Sequence, residues 1–165
     1  MENSEIEAVL DEAQSLFERP GTNFEEGLDV DDSALLQLRK ACRLIDTATF
    51  LQERDGYYTV IIESSFAAIE RTLQFYLLER GLLHEDEYVN HEDVYERGVR
   101  AGLYDEVFAD KLDALWRNNR SETYYREGIA TEERAEKMLE LAEAIHAYVL
   151  QLAGQRHDCI CSTPD

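Results

Sequence analysis

The sequence has few prolines and no long apolar run. Only Pro20 and Pro164 are prolines, so the stretch between them lacks the residue that breaks helices most effectively. No apolar segment approaches the ~18 residues that a membrane-spanning helix needs, and the N-terminal residues lack the basic region of a signal peptide. These absences predict a helical protein that is cytoplasmic and makes no membrane contact.

Lysine is also scarce, and acidic residues dominate the charge. The chain has 36 acidic and 16 basic residues, a net charge of −20, and only Lys40, Lys111 and Lys137 are lysines. Such a chain repels phosphate backbones at ordinary ionic strength, which excludes a passive nucleic-acid coat protein. The composition resembles that of cytoplasmic proteins from salt-loving archaea. In molar salt the Debye length falls to ~3 Å, so a few arginines can still contact a phosphate directly.

Length and periodicity predict a single all-α domain. The 165 residues are near the size of one domain, and 44% are hydrophobic, enough for a core. Glycines separate segments of helical periodicity, and no alternating strand pattern competes. We expect an up-and-down bundle of five to six helices in residues 1–155 and a flexible tail in residues 156–165. The predicted helices span residues 3–19, 33–54, 57–80, 90–100, 105–125 and 131–153.

The helix over residues 57–80 is apolar enough to be central. Its small residues, among them Ser65 and Ala68, allow a neighbouring helix to approach closely, and Gly81 suits the position after its C-cap. Glu63 and Glu70 lie two turns apart in this helix. They are either ordinary solvated charges or, for at least one of them, a carboxylate that faces a polar seam.

The C-terminal tail contains donor atoms that suit zinc. His157, Cys159 and Cys161 form a His-x-Cys-x-Cys pattern, but its spacing is not a standard zinc pattern and a fourth ligand is missing. We therefore predict a frayed tail with no metal site and no cofactor, although a metal-binding tail stays an alternative. Cys42 lies in a predicted helix and is expected to be a small core residue.

The segment 116–126 is unusually basic for so acidic a chain. If it is helical, Arg117, Arg120 and Tyr124 lie at i, i+3 and i+7 on one face, so two guanidiniums and a phenol converge. Guanidiniums bind phosphate oxygens in a forked geometry, and a phenol can stack on a base. The alternative is a surface network in which these arginines pair with nearby carboxylates such as Glu122, Glu127 and Glu132.

This segment resembles the HEPN superfamily, whose motif is Arg-x4–6-His. The branch paired with minimal nucleotidyltransferases has Arg-x4-His-x-Tyr. Here Arg117 and Asn118 match the start of the motif and Tyr124 matches its tyrosine, whereas Glu122 occupies the histidine position. The helix that contains residues 65–70 and 76–81 is similar to the central helix of the family. The resemblance covers residues 33–153.

The resemblance implies a metal-independent ribonuclease that acts as a dimer. In the family, arginine stabilises charge on the phosphate while histidine transfers a proton. Glu122 is a poor substitute, because its ordinary pKa is ~4.3 and its charge repels phosphate. Tyr124 or Tyr125 could replace the histidine, or cleavage is lost and binding remains. Carried over to this chain, the resemblance makes Arg117 and Tyr124 the candidate catalytic residues, Tyr124 also a candidate for adenylylation, and Asn118, Arg120, Glu122, Tyr125 and Glu70 the candidate binding residues.

The predicted function follows from this resemblance. We expect a homodimeric HEPN-like protein that binds RNA or a nucleotide, has weak or lost ribonuclease activity, and is the toxin-like partner of a minimal nucleotidyltransferase. The alternative is a non-catalytic interaction module, a structural or regulatory dimer whose arginines only stabilise the fold or an interface.

Overall fold

Helices form the regular structure of the protein. The computed structural model describes residues 3–19, 21, 25–124, 130–154 and 159–161. Within these ranges no strand occurs, so the predicted all-α class is confirmed. The elements are α1 (Asn3–Glu18), α2 (Ser33–Gln52), α3 (Tyr58–Glu79), α4 (His91–Arg100), α5 (Glu106–Asn118), a π-helical segment (Asn119–Tyr124) and α6 (Glu132–Ala153).

Helix α3 is the centre of the bundle, as its apolar composition predicts. It packs against α2 and α6 along its length and also contacts α4. Ile69, Leu73 and Leu77 have no exposed surface, and burial of each such side chain contributes ~1.5–3 kcal/mol. Although α3 is apolar, neither it nor another helix of the described ranges is long and apolar enough to cross a membrane.

Capping side chains begin two of the helices, and a glycine follows the end of a third. The Asp32 carboxylate accepts a hydrogen bond from Leu35 N at 2.6 Å, and the Asn90 side chain accepts one from Asp93 N at 2.9 Å. Each bond satisfies a backbone N–H that has no partner in the first turn of the helix. Gly81 follows α3 with a φ of 66°, a conformation that favours glycine.

Helices α4 and α5 form a hairpin that depends on a close approach. The Tyr104 hydroxyl donates to the Tyr95 carbonyl at 3.1 Å, and the Tyr104 ring lies directly against Gly98. A Cβ at position 98 would overlap the Tyr104 ring and hydroxyl. Gly98 therefore allows this packing, and the hairpin places the end of α5 beside α3.

Two apolar surfaces remain exposed. Periodicity gives α1 an apolar stripe, but this stripe does not enter the core, and Phe17 is 93% exposed. Periodicity also predicts that Phe108 and Leu115 of α5 point inward, and this is wrong, since each is more than a third exposed. Both border open grooves between α5 and α6. Periodicity identifies the apolar face of α5, but the spacing between the two helices leaves that face partly uncovered.

The core around α3 can be tested with Leu73→Ala. Removing this fully buried side chain leaves a cavity, and we expect the free energy of unfolding to fall by about 2–5 kcal/mol in urea denaturation. Val107→Ala is the control, because Val107 is exposed on α5 and its truncation should change stability by no more than about 0.5 kcal/mol. Equal effects of the two substitutions would contradict the assigned core.

Candidate functional site

The basic segment begins at the junction between α5 and the π-helical segment. The α-helix ends at Asn118, and residues 119–124 continue as a π-helix. A π-helix has i→i+5 hydrogen bonds and therefore more residues per turn than an α-helix. The α-helical spacing assumed for Arg117, Arg120 and Tyr124 therefore does not hold beyond Asn118. Arg117 and Arg120 bind different carboxylates.

Arg117 is held by carboxylates from two helices. Its Nε donates to Asp113 Oδ2 at 2.6 Å, and its Nη2 donates to Glu92 Oε1 at 3.1 Å. Despite these bonds, the Arg117 side chain is 61% exposed. Arg117 therefore pairs with carboxylates of α4 and α5. Of the partners that the sequence suggested, the side chain of Glu122 and all of Glu127 lie outside the described residues.

Arg120 and Asn119 both bind the central helix. Arg120 Nη2 lies 3.1 Å from Glu63 Oε2, and Asn119 Nδ2 donates to Glu63 Oε1 at 2.7 Å. Both oxygens of Glu63 are therefore engaged by consecutive residues of the π-helical segment. The Glu63 carboxylate faces a polar seam, and it fixes the start of this segment against α3.

An aromatic stack formed by Trp116 and His91 also contacts Arg120. The Arg120 guanidinium lies 5.2 Å from the centre of the Trp116 ring, within the range of a cation–π interaction. The Trp116 ring in turn stacks on His91, with 3.4 Å between ring centres. Burial lowers the pKa of His91, which favours its neutral form at the surface of the site.

Glu70 lies deeper on α3, near Arg120. Burial raises the pKa of Glu70 to about 7, although the charges of Arg71 and Arg120 oppose this shift. The neighbouring Tyr95 hydroxyl is buried and has no hydrogen-bond partner among the described residues. Burial, with a smaller contribution from Glu70, raises the pKa of Tyr95. Glu70 therefore titrates near neutral pH in a weakly solvated environment.

Several predicted site residues cannot be placed with their side chains. Glu122 and Tyr124 belong to the π-helical segment, but their side chains, and all of Tyr125, lie outside the described part of the chain. Asn118 and Asn119 both border a groove of about 450 Å³. The structure therefore joins Arg120 and Asn119 through Glu63, with Glu70 nearby, and places Asn118 at the groove.

The groove has an apolar wall and a cationic side. Ile62 and Phe66 of α3 form part of its wall, and Arg134 and Lys137 of α6 lie on the opposite side. The Lys137 ammonium forms an exposed ion pair with Glu140. Sequence reasoning misses Arg134 and Lys137, because they belong to a separate helix and lie among the acidic residues at the start of α6.

A second cluster, which we call the Cys/His cluster, consists of Cys42, His146, Cys159 and Cys161. The ligand atoms of these four residues lie within 4.8 Å of one another. Cys42 in α2 and His146 in α6 are buried, and Cys159 and Cys161 are partly buried. Hydrogen bonds with Cys161 and Cys42 lower the pKa of Cys159. The cluster is therefore a group of soft donors at the edge of the core.

The sequence identifies only half of this cluster. The prediction that Cys42 is a core residue is confirmed, but no sequence pattern distinguishes His146 from an ordinary residue of a helix flank. His157, which shares the tail pattern with Cys159 and Cys161, lies outside the described residues. Cys42 and Cys159 are 117 positions apart, so only the packing of α2 against the end of the chain brings them together.

Comparison with known proteins gives one family. A family model described as a domain of unknown function (DUF8154) matches residues 1–161. No curated protein and no solved structure gave a significant match. The matched range includes the basic segment and all four residues of the Cys/His cluster, but the family description names no chemistry.

The pKa of Glu70 predicts a pH-dependent stability. Because the folded pKa is about 7 and the ordinary value is 4.5, the stabilisation from protonated Glu70 is complete below about pH 4.5 and is lost as the pH rises through about 7. From about pH 5 to 8, we expect the wild type to lose about 1–2 kcal/mol more than Glu70→Gln, a value reduced to account for partial solvent exposure.

Urea denaturation of both proteins at the two pH values measures this difference. Glu136→Gln, an exposed position on α6, is the control and should follow the wild type. Parallel behaviour of the wild type and Glu70→Gln would contradict the assigned environment of Glu70.

Proposed function

This chain belongs to the DUF8154 family, and we propose that it is a HEPN-like protein that binds RNA or a nucleotide through the basic segment and the adjacent groove. Its ribonuclease activity is weak or lost. The proposal rests on the sequence resemblance together with one observation, the exposed guanidinium of Arg117 next in the chain to Asn118, which lines a groove with apolar and cationic sides.

Arg117 has N–H donors left that can bind a phosphate. A guanidinium has five N–H donors, and in the described ranges two of them bind Asp113 and Glu92. Three donors are left for an incoming anion. The two carboxylates hold the side chain in one orientation, which lowers the entropy cost of binding. They also weaken the net positive charge, so contact rather than long-range attraction must provide the affinity.

The groove offers space for a base. Asn118 and Asn119 of the basic segment line this groove, whereas the Arg117 side chain binds Glu92 and Asp113, which line a separate groove between α4 and α5. The side-chain amide of Asn118 can donate to and accept from base edges. The Phe66 side of the groove supplies apolar contact, while Arg134 and Lys137 favour a second phosphate.

Weak or lost cleavage follows from the residue at position 122. Glutamate in place of the family histidine removes the group that would transfer a proton near neutral pH. Glu70, with a pKa of about 7, lies on α3 and interacts with the site through the charges of Arg120 and Glu63. From the family resemblance, we propose that the chain is a toxin-like, homodimeric partner of a minimal nucleotidyltransferase. Tyr124 is the residue that such an enzyme would adenylylate.

Binding can be measured with single-stranded RNA and with AMP at high salt and in the presence of a chelator. We expect the wild type to bind, and Arg117→Ala to bind about 10- to 100-fold more weakly, because a charge-assisted hydrogen bond to phosphate is lost. Lys111→Ala is the control. It removes an exposed cation from α5 without touching the basic segment, and its affinity should match the wild type.

Two results would contradict this proposal. The first is a wild type that neither binds nor cleaves RNA and does not bind AMP. The second is an Arg117→Ala variant that melts at a lower temperature or dissociates while its RNA affinity is unchanged. The second result would assign the arginine to the fold or to an interface.

A second candidate function is a protein-interaction module, and the exposed face of α1 favours it. The stripe formed by Ile6, Val9, Leu10 and Phe17 is exposed along the helix. An apolar stripe of this kind marks an interaction surface when the chain itself does not cover it. The apolar groove between α5 and α6, bordered by Phe108 and Tyr148, is a matching surface, so a second copy of the chain would cover both.

The α1 stripe can be tested with Phe17→Glu. A charge in an apolar interface is costly, so we expect light scattering to show one chain per particle for this variant and two for the wild type. Ala8→Glu, which adds the same charge on the polar side of α1, should stay dimeric. A monomeric wild type, or dimers of both variants, would contradict this interface.

A further inference from the structure

The Cys/His cluster has the distances of a four-coordinate metal site. Cys42 Sγ lies 3.4 Å from Cys159 Sγ and 3.7 Å from His146 Nε2, and His146 Nε2 lies 3.4 Å from the sulfurs of Cys159 and of Cys161. A tetrahedral zinc ion with ordinary Zn–S and Zn–N bonds separates its ligand atoms by about 3.5–3.8 Å. The cluster therefore encloses a space of the size that zinc requires.

His146 is oriented as a metal ligand. Its Nδ1 lies 3.0 Å from Thr72 Oγ1 of α3, and both residues are buried. With the proton on Nδ1, the ring donates to the threonine and directs the lone pair of Nε2 towards the three sulfurs. A ligating histidine usually donates its other ring N–H in this way, which sets the tautomer and the ring plane.

The segment that carries the last two cysteines is seated on the bundle. Ile160, between Cys159 and Cys161, packs against the core, and its side chain lies against Gly27. The loop around Gly27 is itself held, since Arg39 donates to the Gly27 carbonyl at 2.9 Å. Cys159 and Cys161 therefore face Cys42 and His146 as part of a packed arrangement.

The donor set of the cluster suits a metal ion better than a disulfide. A disulfide needs sulfurs about 2.05 Å apart, and any single disulfide would leave one thiol and the imidazole unused. Three thiols and an imidazole are a donor set that favours zinc over harder ions. Four protein ligands close the coordination sphere, which is typical of structural sites, whereas catalytic sites keep one position open.

We propose that Cys42, His146, Cys159 and Cys161 bind one Zn²⁺ as a structural site that fastens the end of the chain to α2 and α6. Binding converts three thiols to thiolates and releases up to three protons, so it weakens as the pH falls. The proposal is independent of RNA binding, because Thr72 and the cluster do not contact the basic segment through any described bond.

The test is zinc content measured by mass spectrometry on protein expressed with zinc and purified under reducing conditions. We expect about one zinc per chain in the wild type and nearly none in Cys159→Ser, since a serine hydroxyl is a poor zinc ligand. His157→Ala is the matched control. It removes the histidine nearest in sequence to the two cysteines, and because the four residues of the cluster already complete a tetrahedral site, the variant should keep the zinc.

Two further measurements address folding and site geometry. Chelation should lower the melting temperature of the wild type and leave that of Cys159→Ser unchanged, while circular dichroism checks that the variant remains helical. Cobalt substituted into the wild type should show thiolate charge-transfer bands and the intense d–d bands of a tetrahedral site, a result that needs no variant.

The outcomes that would overturn the proposal are distinct. They are a reduced wild type without zinc, zinc retained at full occupancy by Cys159→Ser, loss of zinc in His157→Ala, or a Cys42–Cys159 disulfide under reducing conditions. A different metal in place of zinc would overturn the assignment of the ion.

Discussion

The burial of α3 is the constraint on which the rest of the structure depends. Side chains of α3 take part in the basic segment, the groove and the Cys/His cluster. Glu63 binds Arg120 and Asn119, Ile62 borders the groove, and Thr72 contacts His146. Because α3 packs against α2 and α6 with little exposed surface, its polar residues are held in fixed positions. A polar side chain in such a setting needs a partner, and these partners define the two candidate sites.

The two sites use that constraint in different ways. In the basic segment, acidic residues both hold and partly neutralise the arginines, so Arg117 keeps only the donors that Asp113 and Glu92 do not use. The two carboxylates fix the orientation of the Arg117 side chain but weaken its attraction for an anion. Such an arrangement suits a chain whose net charge is −20. In the Cys/His cluster, the donors face one another instead, and a cation is the group that all four can share.

Packing among the described helices buries most of their large apolar side chains, but some stay exposed. The stripe of α1 and the groove between α5 and α6 stay open. Helix α1 has the periodicity of a core-facing helix, and the same pattern is compatible with an interface between chains, since both bury one apolar face. The pattern of α1 therefore fits the proposed interface between chains.

The sequence by itself determined the helical class, the central position of the 57–80 segment and the glycine, Gly81, that follows the C-cap of this segment. These features follow from local periodicity and from residues that act within one turn. The structure alone decided that a π-helix follows Asn118, that Arg117 and Arg120 bind different helices, and that Cys42 and His146 meet Cys159 and Cys161. The contacts of Arg120 with Glu63 and of Cys42 with Cys159 join residues that are distant in the chain, and only the packing of the helices brings them within bonding distance.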